Sequence, residues 1–415
     1  MADVRDTRVA ERCTYQTRFL LWMGLLLFIL KLGSRRQLGF ALDSPVALAN
    51  VNRLSGCDQE RLAHHDTLNH LLGHVDPAEG NRLRRRMVHR TVRMKIFDDA
   101  RLFGHFVIVF DGTGELVFDE RHCQHCLHRT SHGKTQYYHY VLEAKLVTPD
   151  GLAISVGTEF IENADPKASK QDCERKAFYR LAPRLKRDFP QLRLCLCLDA
   201  LYAVSPVLSI CEKNSWKYII VFKEGSLPAV WSEYRTLLPH VPHNRRTCQP
   251  HPECQQSFAW VPDLELQGED KKVHRFNAFE CHEVDQGEKH FFAWITNFRV
   301  TDQTVAALGN RGGRPRWKIE NQGFNIQKNG GFNLEHAYSL GDRQIKNFYL
   351  LLQIAHFILQ LLEKGSLLGQ ECKKLFGSLR NLAQRLCESL RHYPVPGEAL
   401  DVAAAARIQI RLDSS

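Results

Sequence analysis

The chain has 415 residues, of which 44% are hydrophobic and 25% are charged, an ordinary globular composition that supports a sizeable core and more than one structural unit. The formal net charge of +10 favours a polyanionic partner, either nucleic acid or an acidic membrane face, although a soluble basic enzyme could carry the same charge. The 13 cysteines are odd in number and irregularly spaced, which excludes a small secreted disulfide scaffold and predicts reduced thiols in a cytosolic protein.

An uncharged apolar segment of twelve residues lies near the start of the chain, at 19–30. A membrane-spanning helix needs about 20 such residues, so this segment is too short to cross a bilayer. Arg12 and Arg18 precede it, which makes a signal peptide an alternative, but no small-residue cleavage site follows. We therefore predict a buried helix that ends at Gly33, in a protein without a membrane partner. Solubility without detergent would exclude the alternative of a membrane anchor.

A strongly basic stretch at 82–95 falls within a region, 15–100, that is predicted to be mostly helical. It contains seven lysines and arginines, interleaved with apolar residues that form a partial stripe, which predicts a helix with a basic face. No comparable acidic run balances this charge, so we interpret it as a surface for DNA phosphates, with Arg85 and Arg86 as candidates for contact. A solvated helix surface is the alternative.

Beyond residue 100 the hydrophobic pattern changes from helical spacing to short apolar runs that are typical of strands. The first run, at 106–110, is followed by Asp-Gly-Thr-Gly at 111–114, which predicts a turn. The order strand, strand, strand, helix, strand predicts a mixed sheet with helices on its faces. The other predicted elements are strands at 137–147 and 152–161 joined by a turn at 149–151, a helix at 167–188, and strands at 192–198 and 216–222.

The second half of the chain contains two further patterns. Proline, histidine and cysteine clusters followed by alternating runs at 240–315 predict a β-rich insertion, and helical spacing returns after residue 333. We therefore predict an α/β fold in three parts. These are a helical, DNA-binding N-terminal region at 1–100, a catalytic domain at 101–345 that contains the insertion, and a helical C-terminal region at 346–415 that includes a short helical run near 398–411.

Three carboxylates are candidates for chemistry. Asp111 and Asp199 each directly follow a predicted buried strand, so they converge at one sheet edge if the two strands are neighbours. Glu320 lies on a predicted helix. Carboxylate oxygens are the ligands that Mg²⁺ or Mn²⁺ prefers, and two such ions support in-line displacement at a phosphodiester. Singly, each acid has an ordinary explanation as a turn or surface residue; the combination predicts a two-ion site.

Three segments resemble the motifs of IS4-like transposases, in the right order. VFDGTG at 109–114 resembles the first-Asp motif, LCLDALYA at 196–203 the second, and RPRWKIENQGFNIQKNGGFNLEHAYS at 314–339 the Glu-bearing segment, within a similarity that spans about residues 40–360. The resemblance implies an RNase H-like catalytic fold with a β insertion before the Glu helix. It also implies a divalent-metal enzyme that cuts and rejoins DNA at the ends of an insertion sequence, with Asp111, Asp199 and Glu320 as metal ligands.

The same resemblance implies further contacts to DNA. Arg316 would contact a phosphate near the cut, and Trp317 matches the family segment beside it. Trp294 would stack on a flipped base, although packing in the core is the alternative for this residue. The better-known signature has a Tyr where this chain has Gly313. It has a Lys seven residues after the Glu, where the chain has Gln327 followed by Lys328.

One step along a helix is about 100° of rotation. We therefore keep Lys328 as a candidate for DNA contact, which it can still reach if the helix ends near Gly323.

A loop rich in cysteine and histidine follows the first strand. The sequence HCQHCLHRTSH at 122–132 contains a CxxC pair, Cys123 and Cys126, with zinc-ligand spacing. An isolated CxxC is a weak motif, and the later Cys248 and Cys254 do not form a second one. A structural zinc site and a polar loop close to DNA both remain open.

Four functions follow from the sequence. The first is an active transposase that binds transposon ends and target DNA as a homodimer, because two DNA ends must be held together. The others are a DNA-binding protein that does not cut, a membrane-attached protein, and a nuclease of the same fold. The complete acid trio favours an enzyme, and the family resemblance alone favours a transposase over a nuclease.

Overall fold

The fold is centred on one large mixed β-sheet flanked by helices. The computed structural model describes residues 1, 3–163, 171–269, 271–366, 374–406 and 409–412. Ten strands form the sheet: β1 (Phe106–Phe118), β2 (Leu127–Ser131), β3 (Lys134–Val147), β4 (Ala153–Ile161), β5 (Leu194–Leu198), β6 (Lys217–Val221), β7 (Arg245–His251), β8 (Cys254–Gln267), β9 (Val273–Asp285) and β10 (Glu288–Thr296).

Helices precede, separate and follow these strands. They are α1 (Thr17–Ile29), α2 (Gln37–Ala41), α3 (Pro45–Ser55), α4 (His65–His74), α5 (Pro77–Arg93), α6 (Glu174–Asp188), α7 (Ser205–Lys213), α8 (Pro228–Leu237), α9 (Val305–Ala307), α10 (Ile326–Asn329), α11 (Asp342–Lys364), α12 (Leu379–His392) and α13 (Gly397–Ala405). Between α9 and α10 the chain stays helical, but irregularly so, and we call residues 305–329 the glutamate helix. The predicted helix at 167–188 begins at Glu174, and its residues 167–170 lie outside the described residues, as do 407 and 408 of the predicted run near 398–411.

The strand order is β2-β3-β1-β5-β6-β10-β9-β8-β7, with β4 also paired to β3. Strands β1, β5 and β6 are parallel to one another, whereas β3 and β10 run antiparallel to their neighbours β1 and β6. The predicted mixed sheet with helices on its faces is therefore confirmed. The predicted β-rich segment contains four strands, β7–β10, and it continues the main sheet through the pairing of β10 with β6 instead of forming a separate layer.

The two faces of the central strands have different partners. Phe110 and Leu196 lie on the back face, where they pack with buried side chains of α6, α7 and α8. Val109 and Cys197 lie on the front face, where they pack with Leu308 and other buried residues of the glutamate helix. Because successive side chains of a strand point to opposite faces, this division fixes which polar residues can meet in front of the sheet.

The helices at the two ends of the chain form one layer. Ten residues of α1 are buried, and they share a core with α4 and α11. Burial of α1 confirms the predicted helix at 19–30, which ends at Ile29, four residues before Gly33. The shared core also means that the predicted N- and C-terminal regions pack together as one unit, because the long apolar face of α11 needs α1 and α4 to cover it.

In the described part of the chain, α11 is the one helix long and apolar enough to cross a membrane by length and composition. However, 78% of its most apolar 18-residue window is buried within the protein. A helix covered in this way is typical of a core element, and nothing in its packing calls for a bilayer.

The predicted turn at 111–114 is wrong. Strand β1 continues through these residues to Phe118, and Asp111 pairs with Glu143 of the antiparallel neighbour β3. Residues 111–114, Asp-Gly-Thr-Gly, are of types that are common in turns. However, β3 is long enough to supply a pairing partner for every one of them. Among the described residues, the pairing of β1 with β3 has one irregularity, a shift of register between Gly114 and Leu116.

Candidate active site

The parallel pairing of β1 and β5 brings two of the three candidate acids to one place. Val109 is opposite Cys197 in the register, and two residues further along each strand direction come Asp111 and Asp199. A step of two residues returns a side chain to the same face, so both aspartates are directed to the front of the sheet. Asp199 immediately follows β5, and its Oδ1 accepts a hydrogen bond from the backbone N–H of Ala200.

Glu320 reaches the same region from the glutamate helix, through Arg316. One guanidinium nitrogen, Arg316 Nη1, lies 3.0 Å from Glu320 Oε1 and 3.9 Å from Asp111 Oδ2. The carboxylates of Glu320, Asp111 and Asp199 together raise the pKa of Arg316, although burial opposes them. The three acids predicted from separate parts of the sequence thus surround a single cation in the folded chain.

Electrostatics at this site disfavour a negative charge on Asp111. Burial is the main cause that raises the pKa of this carboxyl, to about 7, and the carboxylates of Glu320 and Glu174 add to it. Arg316 acts in the opposite direction but does not cancel the effect. Asp111 is only 21% exposed, whereas Glu320 is 51% exposed. A buried acid that is crowded by other acids is a typical place for a cation to bind, because the cation removes the repulsion.

The donor set fits a hard divalent ion. Asp111, Asp199 and Glu320 offer carboxylate oxygens, and the nearby Cys197 thiol is engaged with the carbonyl oxygen of Gly313. Oxygen-only sites suit Mg²⁺ or Mn²⁺ better than they suit zinc or copper. The chemistry of these three donors therefore suits the predicted metal, although their oxygens do not all lie within 4.8 Å of one another.

Close packing positions the glutamate helix against the sheet. Cys197 Sγ of β5 donates to the carbonyl oxygen of Gly313, and a Cβ at residue 313 would lie 2.4 Å from Trp294. A Tyr at this position, as in the resembled signature, has no room beside that ring. Gly312 is equally constrained, since a Cβ there would lie 2.2 Å from Ile219.

Trp294 is a packing residue in this arrangement. Its side chain is 2% exposed, and its ring is stacked on those of Phe279 and Phe292. The structure therefore favours the core-packing alternative over a stacking contact with a DNA base, because the faces of the ring are already covered. Trp317, which is 43% exposed, remains the aromatic side chain available near Arg316.

The helix does not end near Gly323, so the expectation for Lys328 needs correction. The segment Ile319–Asn325 is π-helical and runs directly into α10, which ends at Asn329. A π-helical turn, with i→i+5 hydrogen bonds, contains one more residue than an α-helical turn. The eighth residue after Glu320 thereby takes about the rotational position that the seventh would have in a regular α-helix.

Burial and contacts agree with this change of phase. Gln327 is fully buried and exchanges hydrogen bonds of 2.9 and 3.1 Å with Gln353 of α11. Lys328 is directed to a surface cleft of about 670 Å³, whose lining includes Tyr140 and Glu174, and it forms an ion pair with Glu335. Lys328, and not Gln327, therefore presents its side chain at the surface.

A second cleft, of about 490 Å³, opens beside Asp199. Its lining includes Lys223, Arg314, Arg316 and Trp317, together with aromatic rings of β10 and α8. Cations and an exposed aromatic ring in a cleft are the features with which proteins bind a nucleic-acid strand, through phosphate contact and base stacking. Asp199 lines this second cleft, whereas Lys328, later in the glutamate helix, lines the first.

The basic helix α5 differs from its prediction. Arg84 is buried and donates to Ser155 and Thr158 of β4, so it belongs to the core. Arg85 pairs with Asp188 at 2.8 Å, and Arg86 pairs with Asp3 at 2.7 Å. Acidic partners from distant parts of the chain therefore offset charges that the sequence leaves unbalanced. Arg86, 59% exposed, is the better placed of the two candidates to contact DNA.

Glu174 is a residue near the site that the sequence analysis missed. Its carboxylate accepts hydrogen bonds from Tyr140 at 3.0 Å and Tyr202 at 3.4 Å, and it lies close to Gly112, where a Cβ would be 2.6 Å away. It contributes to the raised pKa of Asp111. Its position at the first turn of α6 carries no sequence signal, because an acid at a helix start is common.

Comparison of the chain with protein-family models gives no match, and comparison with curated proteins gives none either. Motif resemblance and site geometry therefore carry the functional interpretation.

Proposed function

We propose that this chain is a transposase of the Asp-Asp-Glu type, which cleaves DNA at the ends of an insertion sequence and transfers the strands to a target. The observation that carries the proposal is the meeting of Asp111, Asp199 and Glu320 around Arg316 in front of the sheet. Three carboxylates from two strands and a helix, beside a cleft lined by Lys223, Arg314 and Arg316, suit metal-dependent chemistry on a phosphodiester.

Sheet topology supports an RNase H-like catalytic domain. The order β4-β3-β1-β5-β6 consists of three antiparallel strands followed by two that are parallel to β1, with α6 crossing between β4 and β5. The strands β7–β10 then stand where the resemblance expects a β insertion before the Glu-bearing helix. Both features agree with the resemblance without depending on its motifs.

Each residue of the site has a distinct task in this proposal. Asp111, Asp199 and Glu320 would hold one or two Mg²⁺ or Mn²⁺ ions. The chemistry that such ions supply when bound is activation of the attacking hydroxyl and stabilisation of the leaving 3′ oxygen. Arg316 neutralises the acids in the free protein and is placed to contact a phosphate of the bound strand, while Trp317 offers a stacking surface beside it.

DNA is the partner that this proposal requires, as transposon ends and as target, with the protein acting as a homodimer because two ends must be held at once. The net charge of +10 supports attraction to the polyanion. We place the protein in the cytoplasm, associated with the nucleoid, since its substrate is there. A nuclease of the same fold and a DNA-binding protein that does not cut are the other functions compatible with the site.

The test is cleavage of DNA that carries the ends of the protein's own element, in Mg²⁺ or Mn²⁺. We expect nicks at the element ends with the wild type and with Glu288→Ala, a matched control at an acid that is 79% exposed on β10. Asp199→Ala and Glu320→Ala should bind the same DNA without cutting it.

Other outcomes would point elsewhere. Cutting at random positions would support the nuclease, and binding without cutting in any divalent ion would leave the DNA-binding protein. Cleavage that survives in both acid variants would remove the proposed site altogether.

A further inference from the structure

A second group of potential metal ligands lies outside the acid site, in the loop after β1. His122, Cys123 and Cys126 of this loop meet His139 of β3, and one ligand atom from each lies within 4.8 Å of the other three. His139 is 13 residues from the CxxC pair in sequence and enters the group because β3 pairs back onto β1, with His139 opposite Leu116. The antiparallel pairing thus supplies the donor that the sequence motif lacks.

The distances match those of a tetrahedral zinc centre. Zn–S bonds of about 2.3 Å and Zn–N bonds of about 2.0–2.1 Å, at tetrahedral angles, place two sulfurs about 3.8 Å apart and a sulfur and nitrogen about 3.6 Å apart. Here Cys123 Sγ and Cys126 Sγ are 3.5 Å apart, and each is 3.6 Å from His139 Nε2. Two thiols and an imidazole therefore already surround a point at bonding distance from all three.

The surroundings hold these donors in place. Cys126 is buried, and the Asn163 side chain donates to its backbone carbonyl oxygen at 3.1 Å. The ring of Phe118 is stacked on that of His122 at 4.7 Å, and His122 Nδ1 is buried without a hydrogen-bond partner in the described part of the chain. A buried ring nitrogen without a partner is costly unless something else, such as a metal or water, satisfies it.

We propose that His122, Cys123, Cys126 and His139 bind one zinc ion as a structural site. Four protein donors leave no open position, which is typical of zinc that stabilises a fold and not of catalytic zinc. Thiolate and imidazole ligands select zinc over Mg²⁺, so this centre does not compete with the acids for their ion. The inference does not depend on the proposed function.

The position of the ion gives it a defined task. It would fasten the loop between β1 and β2 to β3, close to the cleft that Tyr140 shares with Lys328. The same strand, β1, carries Asp111 on the other side of the register shift at Gly114 and Leu116. Zinc would therefore fix the outer end of the strand that presents the first catalytic acid.

The test is the zinc content of the full chain, purified under reducing conditions and measured by mass spectrometry of the metal. We expect one zinc per chain in the wild type and in Cys173→Ser, whose cysteine is exposed and lies outside the group. Cys126→Ser and His139→Ala should retain less than about one tenth of it. Equal zinc in Cys126→Ser and Cys173→Ser, or no zinc in the wild type, would overturn the proposal.

A second measurement keeps the proposal testable if the ligand variants fail to fold. Wild-type protein loaded with Co²⁺ in place of zinc should show the visible bands of tetrahedral cobalt and the near-ultraviolet bands of thiolate-to-cobalt charge transfer. Absence of both, or a protein mass two hydrogens low because Cys123 and Cys126 form a disulfide under the same reducing conditions, would contradict a zinc site.

Discussion

The two proposed metal sites of this protein both adjoin β1 but are built in opposite ways. The acid site assembles oxygen donors from β1, from the end of β5 and from the glutamate helix, which are far apart in sequence. The thiol site takes all its donors from one hairpin region, within 18 residues, His122 to His139. The acid site is crowded with like charges, whereas the thiol site has donors at distances close to those of a bound ion.

From this difference we expect the acid site to control activity and the thiol site to control stability. A site that brings repelling acids together lowers stability in exchange for function, as catalytic sites commonly do. A closed site with four protein ligands adds stability through the ion it binds. Four predictions test this division, from the largest expected effect to the smallest.

Removal of one acid should have the largest effect on activity. Asp199→Asn and Glu320→Gln should each lower the cleavage rate about 10³-fold or more, because metal stabilisation of the transition state is worth several kcal/mol. Both variants should keep their full zinc content. Loss of zinc together with cleavage would show that the two sites are not independent.

Selective removal of zinc should mainly affect stability. A chelator that binds zinc but not Mg²⁺, such as 1,10-phenanthroline, should destabilise the protein by a few kcal/mol and lower the melting temperature by roughly 5 °C. Readdition of zinc should restore the original value, and Mg²⁺ should not. An unchanged melting temperature after confirmed metal removal would contradict a structural role.

Gly313→Ala tests how the acid site depends on distant packing. The new Cβ would lie 2.4 Å from Trp294, so overpacking should cost about 1–3 kcal/mol and displace the glutamate helix, with slower cleavage and unchanged zinc content. Gly225→Ala is the matched control, since a Cβ there meets nothing within 4 Å. Equal unfolding free energies for the two variants would argue against this packing.

Of the four predicted effects, the change in folding stability caused by Asp111→Asn should be the smallest. It should also depend on pH. Because the folded protein raises the pKa of Asp111 to about 7 from 3.8, the favourable contribution of its protonated form is lost as pH rises from about 4 through 7. In metal-free buffer at pH 8 the uncharged variant should therefore be more stable than the wild type by about 1 kcal/mol, after allowance for solvent screening and for the lost Arg316 partner.

The comparison is made by denaturant unfolding of both proteins at several pH values. The difference should shrink toward pH 4, where Asp111 is protonated in the folded state and partly protonated in the unfolded state. A wild type that is more stable than the variant at pH 8 would show that Arg316 outweighs the burial of the acid.

Local patterns predicted much of the fold and the location of the acids. The apolar runs predicted β1 and β3–β6 but not β2, which is mostly exposed, and the alternation before Asp199 correctly ended β5 there. The errors arose where contacts with residues far away in the sequence determine the local structure. Asp-Gly-Thr-Gly remains in a strand because β3 pairs with it, and Lys328 is placed by a π-helical turn that no residue pattern announces.

The thiol site is a second case that local sequence patterns could predict only in part. The CxxC pair was visible in the sequence, but His139 stands among tyrosines in a strand and carries no motif of its own. Only the register of β1 with β3 reveals it as a fourth donor. Likewise, Arg85 pairs with Asp188 and Arg86 pairs with Asp3. Sequence spacing could not assign either ion pair.

The shared core of α1 and α11 has a consequence during synthesis. Helix α1 leaves the ribosome before α11, which begins more than 300 residues later. At about 5–20 residues per second, α1 must wait roughly 15–60 s for the helix that covers it. Throughout that interval the apolar side chains that α11 will cover are exposed on the nascent chain, which makes this helix a natural binding site for chaperones and the point where a truncated product would aggregate first.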